Sequence, residues 1–232
     1  MSKITSFEEL HIKLDKYRAD KRWLFRGHAS CDWNLLPKAG RHPYNQLNDS
    51  IVFQTWKRQA ISYIKNRPQD EWEWLSVAQH HGLATRLLDW SSNPLVACFF
   101  AVRDQLPGDA VVYASKFRWT VPHDRSITPE AYPKLAIFRA NRIANRITNQ
   151  SGIFSIHPNP QESLSKSDPG IIDLEEIRIC ESYRKTLRSQ LSYYGINEAT
   201  LFPDLDGISN HINWTIETRE YWNFPTPEQE QF

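Results

Sequence analysis

The sequence predicts an α+β fold in which helices and strands follow one another without regular alternation. Three observations predict it. The first hundred residues carry helical periodicity framed by helix-start and helix-stop residues. The second half carries short β-branched runs bounded by prolines and glycines. The 232 residues, 40% apolar and 24% charged, show no repeat, low-complexity tract or linker that would divide them. One domain over 1–232 is expected, with a core of about 20–220 and a frayed tail at 225–232.

The elements follow in order. Ser6-Phe7-Glu8-Glu9 has the form of a capping box, and Phe7, Leu10, Leu14 and Tyr17 recur at helical spacing. Arg22 to Gly27 reads as a short strand ended by glycine. A second helix runs from about Ser50 to Ile64, with Ile51, Trp56, Ala60 and Tyr63 near one face. A third begins near Asp70 and stops at Gly82. A short irregular piece leads to Ser92-Asn93-Pro94, which opens a buried helix through Ala101 that is apolar almost all round. Ala110–Ala114, Gly152–Ile156 and Leu174–Cys180 read as strands, and the proline-rich Thr120–Pro133 as loop. Amphipathic helices are expected over about Ser182–Tyr194, ended by Gly195, and about Asp204–Thr218.

Composition excludes several functions. With 28 basic and 27 acidic residues the net charge is +1, so bulk charge cannot hold the chain to nucleic acid or an anionic membrane, though a local basic patch can. The longest apolar stretch, Leu95 to Val102, is far too short to span a bilayer, and the first residues lack a signal-peptide core. Three widely spaced cysteines (Cys31, Cys98, Cys180) make neither a disulfide framework nor a zinc pattern, so the cytoplasm is the expected compartment. Eight glycines leave no Gly-rich nucleotide loop, and no nucleophile elbow or His-Glu-x-x-His occurs.

Three polar constellations remain. Arg26, after Trp23-Leu24-Phe25 and before Gly27, has two readings. Its fork binds a phosphate or carboxylate, with Gly27 letting a backbone or flat ligand approach, or it pairs with a local carboxylate such as Asp32. The second constellation runs from Gln79 to Pro94 and holds His80, His81, Thr85, Arg86, Asp89 and Ser92 between two apolar helices, a setting that demands internal hydrogen bonds or a ligand. Asp89 or Ser92 can instead cap the next helix, and His81 the previous one. Adjacent His80 and His81 diverge on a helix, so no metal site is expected. In the third, Arg142, Arg146 and Gln150 share a face if their segment is helical, and with Arg139 they make a basic cluster. That cluster is either a solvated face or a contact for nucleic-acid backbone or pyrophosphate, with Trp119 and Phe138 nearby for stacking.

Phe25-Arg26-Gly27, the run from Gln79 to Ser91, and Pro94 to Ala101 together resemble the FRG domain family. Asn149 to Phe154 and Leu201 to Gly207 resemble its later blocks, so the likeness covers about 20–212. The aromatic-Arg-Gly triplet is also similar, more distantly, to the first motif of the arginine-type ADP-ribosyltransferases. That resemblance implies a split, mixed or antiparallel sheet and NAD as substrate, with Arg26, Gly27, His81 and Thr85 at the dinucleotide. Gln150 stands in the place of the third motif, which is usually glutamate. Ser-Thr-Ser does not occur and no Glu-x-Glu stands at the position of Gln150, so Asp89 is the carboxylate available to the sugar cation, although Arg86 and Asp89 are expected to form an internal pair. The implied function is transfer of ADP-ribose to RNA, DNA or protein by a toxin or anti-phage effector that has a neutralising antitoxin protein. A nucleotide- or nucleic-acid-binding module without catalysis, or a metal-independent nuclease using His80 or His81, are the alternatives.

Overall fold

The computed structural model describes residues 3–64, 66–140 and 152–218. Helix α1 (Phe7–Asp15) starts where the capping box places it, with the Glu9 N–H donating to Ser6 Oγ at 3.2 Å. Glu9 returns its carboxylate to the N–H and hydroxyl of Thr5 rather than to Ser6. Strand β1 (Leu24–His28) begins two residues later than expected and includes His28. A non-repetitive segment with two 3-10 turns, Lys38–Gly40 and Tyr44–Gln46, leads to α2 (Asp49–Ala60) and α3 (Glu71–His80). Gly82, at φ +86°, ends α3 as the sequence predicts.

The piece read as irregular contains a strand, β2 (Leu87–Ser91), inside the dense polar block. Helix α4 (Pro94–Val102) follows, capped by Asn93. The remaining strands are β3 (Ala110–Phe117), β4 (Ala136–Phe138), β5 (Gly152–Ile156) and β6 (Ile171–Ile179). The chain continues through α5 (Arg184–Tyr193), the one-turn α6 (Glu198–Leu201) and α7 (Leu205–Glu217). Strand β4 and α6 had no sequence signal long enough to mark them.

The strands form one sheet in the order β4-β5-β2-β1-β3-β6. Every ladder among the described residues is antiparallel, which settles the mixed-or-antiparallel expectation. Among the described residues, parallel contact is confined to two isolated bridges, Ile4 with Ile179 and Thr120 with Ile137.

The sheet is close to two halves. Strands β1 and β3 share five paired positions, as do β2 and β5, but β1 and β2 meet only at Phe25 opposite Ser91. Each half has its own helical cover on one face. Under β1-β3-β6, Phe25, Val112, Ala114 and Ile177 pack with α1, α4 and α5. Under β4-β5-β2, Leu87, Phe154 and Ile156 pack with Phe53 of α2 and Trp72 and Leu75 of α3. The opposite face is continuous across both halves, with Leu24, Leu88, Trp90, Val111 and Ile153 covered by Leu35 and Leu164 from long connections. The period-2 alternation of strand side chains therefore puts Arg26 and His28 on the loop-covered face and Phe25 and Gly27 on the helix side.

Candidate functional site

The seam between the half-sheets opens into a cavity of about 370 Å³, within the size range of small-molecule sites. Arg26 spans it. Its Nη1–H donates to the Asp89 carbonyl oxygen at 2.8 Å, and its Nε–H to His28 Nε2 at 3.0 Å. If the β1–β2 ladder continued past Phe25–Ser91, Gly27 would lie opposite Asp89. The guanidinium takes that carbonyl instead, so the backbone group is satisfied while the strands stay apart. The Asp89 carboxylate stands 3.6 Å from the same nitrogen. Burial lowers the Arg26 pKa to about 10, with Arg41 pushing the same way and Asp89 opposing. It remains a cation at neutral pH.

A second guanidinium faces the cavity from the segment between β1 and α2. Arg41 donates from Nε and Nη2 to the Leu36 carbonyl, at 3.0 and 2.6 Å, which folds its own loop and fixes the fork. Burial lowers its pKa, against the pull of Asp89. His28 completes this wall. It accepts from Arg26 at Nε2, so its proton sits on Nδ1, which is buried and has no acceptor in hydrogen-bond geometry. Burial first, then Arg26 and Arg41, lower its pKa to about 3, the Trp33 backbone acting weakly the other way. His28 is thus a neutral imidazole beside two cations. Trp33, 44% exposed, stands at the rim with its ring edge-on to His28. Two half-buried positive charges faced by one carboxylate, with a flat aromatic group beside them, suit an anionic ligand.

The carboxylate is held by a relay. Thr85 accepts the Leu87 N–H at 3.1 Å and donates its hydroxyl to Gln79 Oε1 at 2.5 Å. That bond fixes the amide orientation, so Gln79 Nε2 donates to Asp89 Oδ2 at 2.9 Å. Thr85 is buried and does not line the cavity, whereas Gln79 and Asp89 do. A Thr85→Val variant is expected to leave the Leu87 N–H unsatisfied, at about 1–3 kcal/mol of stability, and to weaken anionic ligands about tenfold by freeing Asp89. Thr85→Ser should restore both. Calorimetric titration with inorganic pyrophosphate beside urea denaturation checks it.

Beneath the cavity floor lies a second histidine. Trp90 Nε1–H donates to Ser155 Oγ at 2.9 Å, and Ser155 lies 2.9 Å from His157 Nε2. With the tryptophan fixed as donor, the serine hydroxyl points at His157, which is neutral and protonated on Nδ1. Burial, reinforced by Arg26, lowers the His157 pKa to about 3. The folded protein therefore binds fewer protons than the unfolded chain between that value and the ordinary histidine value of about 6.5. Stability from this group is full above that window and falls as the pH is lowered through it. Replacing His157 by Gln is expected to flatten the stability–pH slope near pH 5 by about 1.4 kcal/mol per pH unit, measured by urea unfolding.

The structure gathers some of the predicted site residues and separates others. Arg26, Gly27 and Asp89 line one cavity. His81 is the C-cap of α3 and exposed; His80, whose ring lies edge-on to it, faces the cavity instead. Arg86 does not pair with Asp89. It makes a bidentate contact with Asp49 at the start of α2, at 2.7 and 2.8 Å, and donates to the Glu130 carbonyl. That buried pair ties α2 to β2, while Asp89 turns toward the cavity. Nor does Arg26 pair with Asp32. Gly27 receives a backbone, since a Cβ there would lie 1.9 Å from the Ala97 carbonyl oxygen of α4. Arg139 is exposed, and its carbonyl accepts from Arg125. Arg142, Arg146 and Gln150 lie outside the described residues. Phe138 is a core side chain, packed on Trp72, and so does not offer a face to a base. Arg41, His28, Trp33 and Asp104 are among the cavity residues that sequence reasoning did not single out.

An α+β domain with an arginine-spanned cleft is what fold and site define. Within it, residues 21–110 match the FRG domain family model. The matched stretch runs from just before β1 to the first residue of β3, so it contains Arg26, Arg41, Gln79 and Asp89; the blocks at 149–154 and 201–207 lie beyond it. No curated protein and no solved structure matches the chain. Among the described residues no helix is long and apolar enough to cross a membrane.

Proposed function

We propose that the cleft binds NAD and transfers its ADP-ribose to a macromolecular acceptor. The observation that carries this is the double guanidinium, Arg26 and Arg41, facing the Asp89 carboxylate across the sheet seam. Arginine forks match the oxygens of a pyrophosphate. A carboxylate held at fixed orientation by Gln79 suits the cation that develops when the bond from ribose C1′ to nicotinamide breaks. In that step nicotinamide leaves as a neutral ring with the bond pair, and positive charge spreads over the ribose C1′ and ring oxygen. An oxygen or nitrogen of the acceptor then bonds to C1′ and gives up its proton. His80 on the cavity wall is the base at hand.

The acceptor is RNA, DNA or protein, with Arg139 the described member of the basic cluster proposed to meet it. The setting we favour is a bacterial toxin or anti-phage effector: an enzyme that drains NAD in the cell that makes it requires a neutralising protein partner. Incubation with labelled NAD and cell extract, resolved into protein and nucleic-acid fractions, tests the reading. Nicotinamide release with label on one fraction supports transfer. NAD bound without release leaves a binding module, and RNA cut without NAD leaves a nuclease.

A further inference from the structure

Two segments frame the mouth of the cleft, residues 33–48 ahead of α2 and residues 79–88 from the end of α3 into β2. Each sends residues into its wall, Trp33 and Arg41 from the first, Gln79 and His80 from the second. Neither contains an aspartate or a glutamate. At the chain's average of 27 acidic residues in 232, segments of that combined length would hold about three. They carry instead Lys38, Arg41, His42, His80 and His81, besides Arg86, whose charge is taken by Asp49. A nearly neutral chain therefore has a local basic surface that borders the cleft.

The surface is continuous, and it carries rings as well as charge. Tyr44, 45% exposed, has the Lys38 ammonium 5.1 Å from its ring centroid. Lys38 donates to the Gly82 carbonyl at 2.9 Å, which holds it against the end of α3. His81, exposed beside Gly82, meets the ring of His80, and His80 lines the cavity. One exposed ring, Tyr44, thus stands at the outer end of this track, and another, Trp33, where it enters the cleft. The neighbouring carboxylates lie at its edges or are engaged. Asp32 precedes Trp33, and Asp89 is held by Gln79 and Arg26. Glu162, on the loop that Gln161 ties to the Asn45 carbonyl, accepts from Asn159.

We infer that this track binds a single-stranded nucleic acid and leads it to the cleft, its phosphates meeting Lys38, His42 and His81 in the field of Arg41 and its bases stacking on Tyr44 and Trp33. Single strands fit and duplex does not, because a ring can stack only on a base that has left its own stack. An acidic polypeptide would engage the cations but offers no flat groups to the two rings. The binding itself needs no NAD. Making the strand the acceptor of ADP-ribose rests on the transfer reading above, and there it selects nucleic acid over protein.

The test is fluorescence anisotropy of the whole chain with end-labelled oligo(U), oligo(dT) and a duplex, each of about ten nucleotides, in the absence of NAD. At least one of the two single strands is expected to bind about tenfold more tightly than the duplex, and comparing them tells RNA from DNA. Lys38→Gln, whose amide still donates to the Gly82 carbonyl, should lower the slope of log affinity against log salt by about 0.7. Tyr44→Ala should weaken the single strand about tenfold and Tyr44→Phe restore it to within about twofold, while both leave inorganic pyrophosphate within about twofold of native. A duplex bound as tightly as the single strands overturns the inference, as does a Tyr44→Ala protein of native affinity. Poly-glutamate that displaces the strands at equal concentration overturns it in favour of an acidic protein partner. If pyrophosphate binds and no oligonucleotide does, the track fails and the anion reading of the cleft stands. If a single strand binds as expected while labelled NAD is neither cleaved nor transferred, the track stands and the transfer reading fails.

Discussion

A Gly27→Ala variant is expected to lose at least about 3 kcal/mol of folding stability. The added Cβ would meet the Ala97 carbonyl oxygen at 1.9 Å and the Ala101 nitrogen at 2.6 Å. Both are backbone atoms of α4, so no rotamer change relieves the clash and the helix itself must move. It has little room. Val96, Ala97, Cys98, Phe99, Ala101 and Val102 are all buried, and the helix lies between the sheet, α1 and α5. Gly108 supplies the contrast: nothing lies within 4 Å of its Cβ position, though its φ of +89° strains any other residue. Gly108→Ala is expected to cost about 1 kcal/mol. Urea denaturation of the two variants checks the difference, and equal losses would show that the approach of α4 to β1 is not what Gly27 permits. The packing has a consequence at the seam as well. Because α4 presses on β1 at Gly27, the backbone on the helix side is fixed where Arg26 leaves on the other side.

Much of the helical framework was legible because its signals are local. Ser6, Asp70, Asn93 and Asp204 each cap the helix that follows, and Gly82 and Gly195 follow the helices they end with positive φ. The buried character of α4 followed from its being apolar all round. Strand β2 was not legible. Leu87-Leu88-Asp89-Trp90-Ser91 has no clean alternation because its two faces serve different cores, Leu87 toward α3 and Leu88 and Trp90 toward the loop-covered side. Its polar residues belong to the cleft, and a functional site is where local pattern and fold are expected to disagree.

The site divides the same way. Arg26 was visible as a charge on an apolar strand, and the Gln79–Asp89 block as too much polarity between apolar helices. Which partners these groups would take was not visible. Arg86 and Asp89 are three residues apart on an extended strand, so their side chains leave on opposite faces; that is why Arg86 finds Asp49 and Asp89 finds Arg26 and Gln79. Arg41 comes from a segment with no periodicity, and contacts such as its guanidinium to the Leu36 carbonyl, the Ala39 N–H to the Thr85 carbonyl and the Lys38 ammonium to the Gly82 carbonyl bring it to the cleft. Contacts of that kind depend on long-range packing that a local pattern does not encode.

Substituting Arg26 by alanine is expected to weaken pyrophosphate and ADP-ribose at least about 100-fold, equivalent to about 2.8 kcal/mol, and, under the proposed transfer reaction, to abolish nicotinamide release from NAD. The effect is large because one side chain does three things: it holds the Asp89 carbonyl, it orients His28, and it presents its remaining N–H groups to the cavity. Lysine separates these roles. It keeps the charge, but a single ammonium cannot reach the carbonyl, the imidazole and a bound oxygen in one plane, so Arg26→Lys should recover less than a tenth of native affinity. Folding is monitored in the same samples by circular dichroism, since losing the guanidinium leaves the Asp89 carbonyl and His28 Nε2 without their donor. A folded Arg26→Ala protein that still binds pyrophosphate tightly would move the anion to Arg41 alone and remove the reason the sheet is held open at that seam. The His28 response distinguishes the cases further. With Arg26 gone, its largest charged neighbour is lost and the depressed His28 pKa should rise toward the ordinary histidine value, observable by NMR titration.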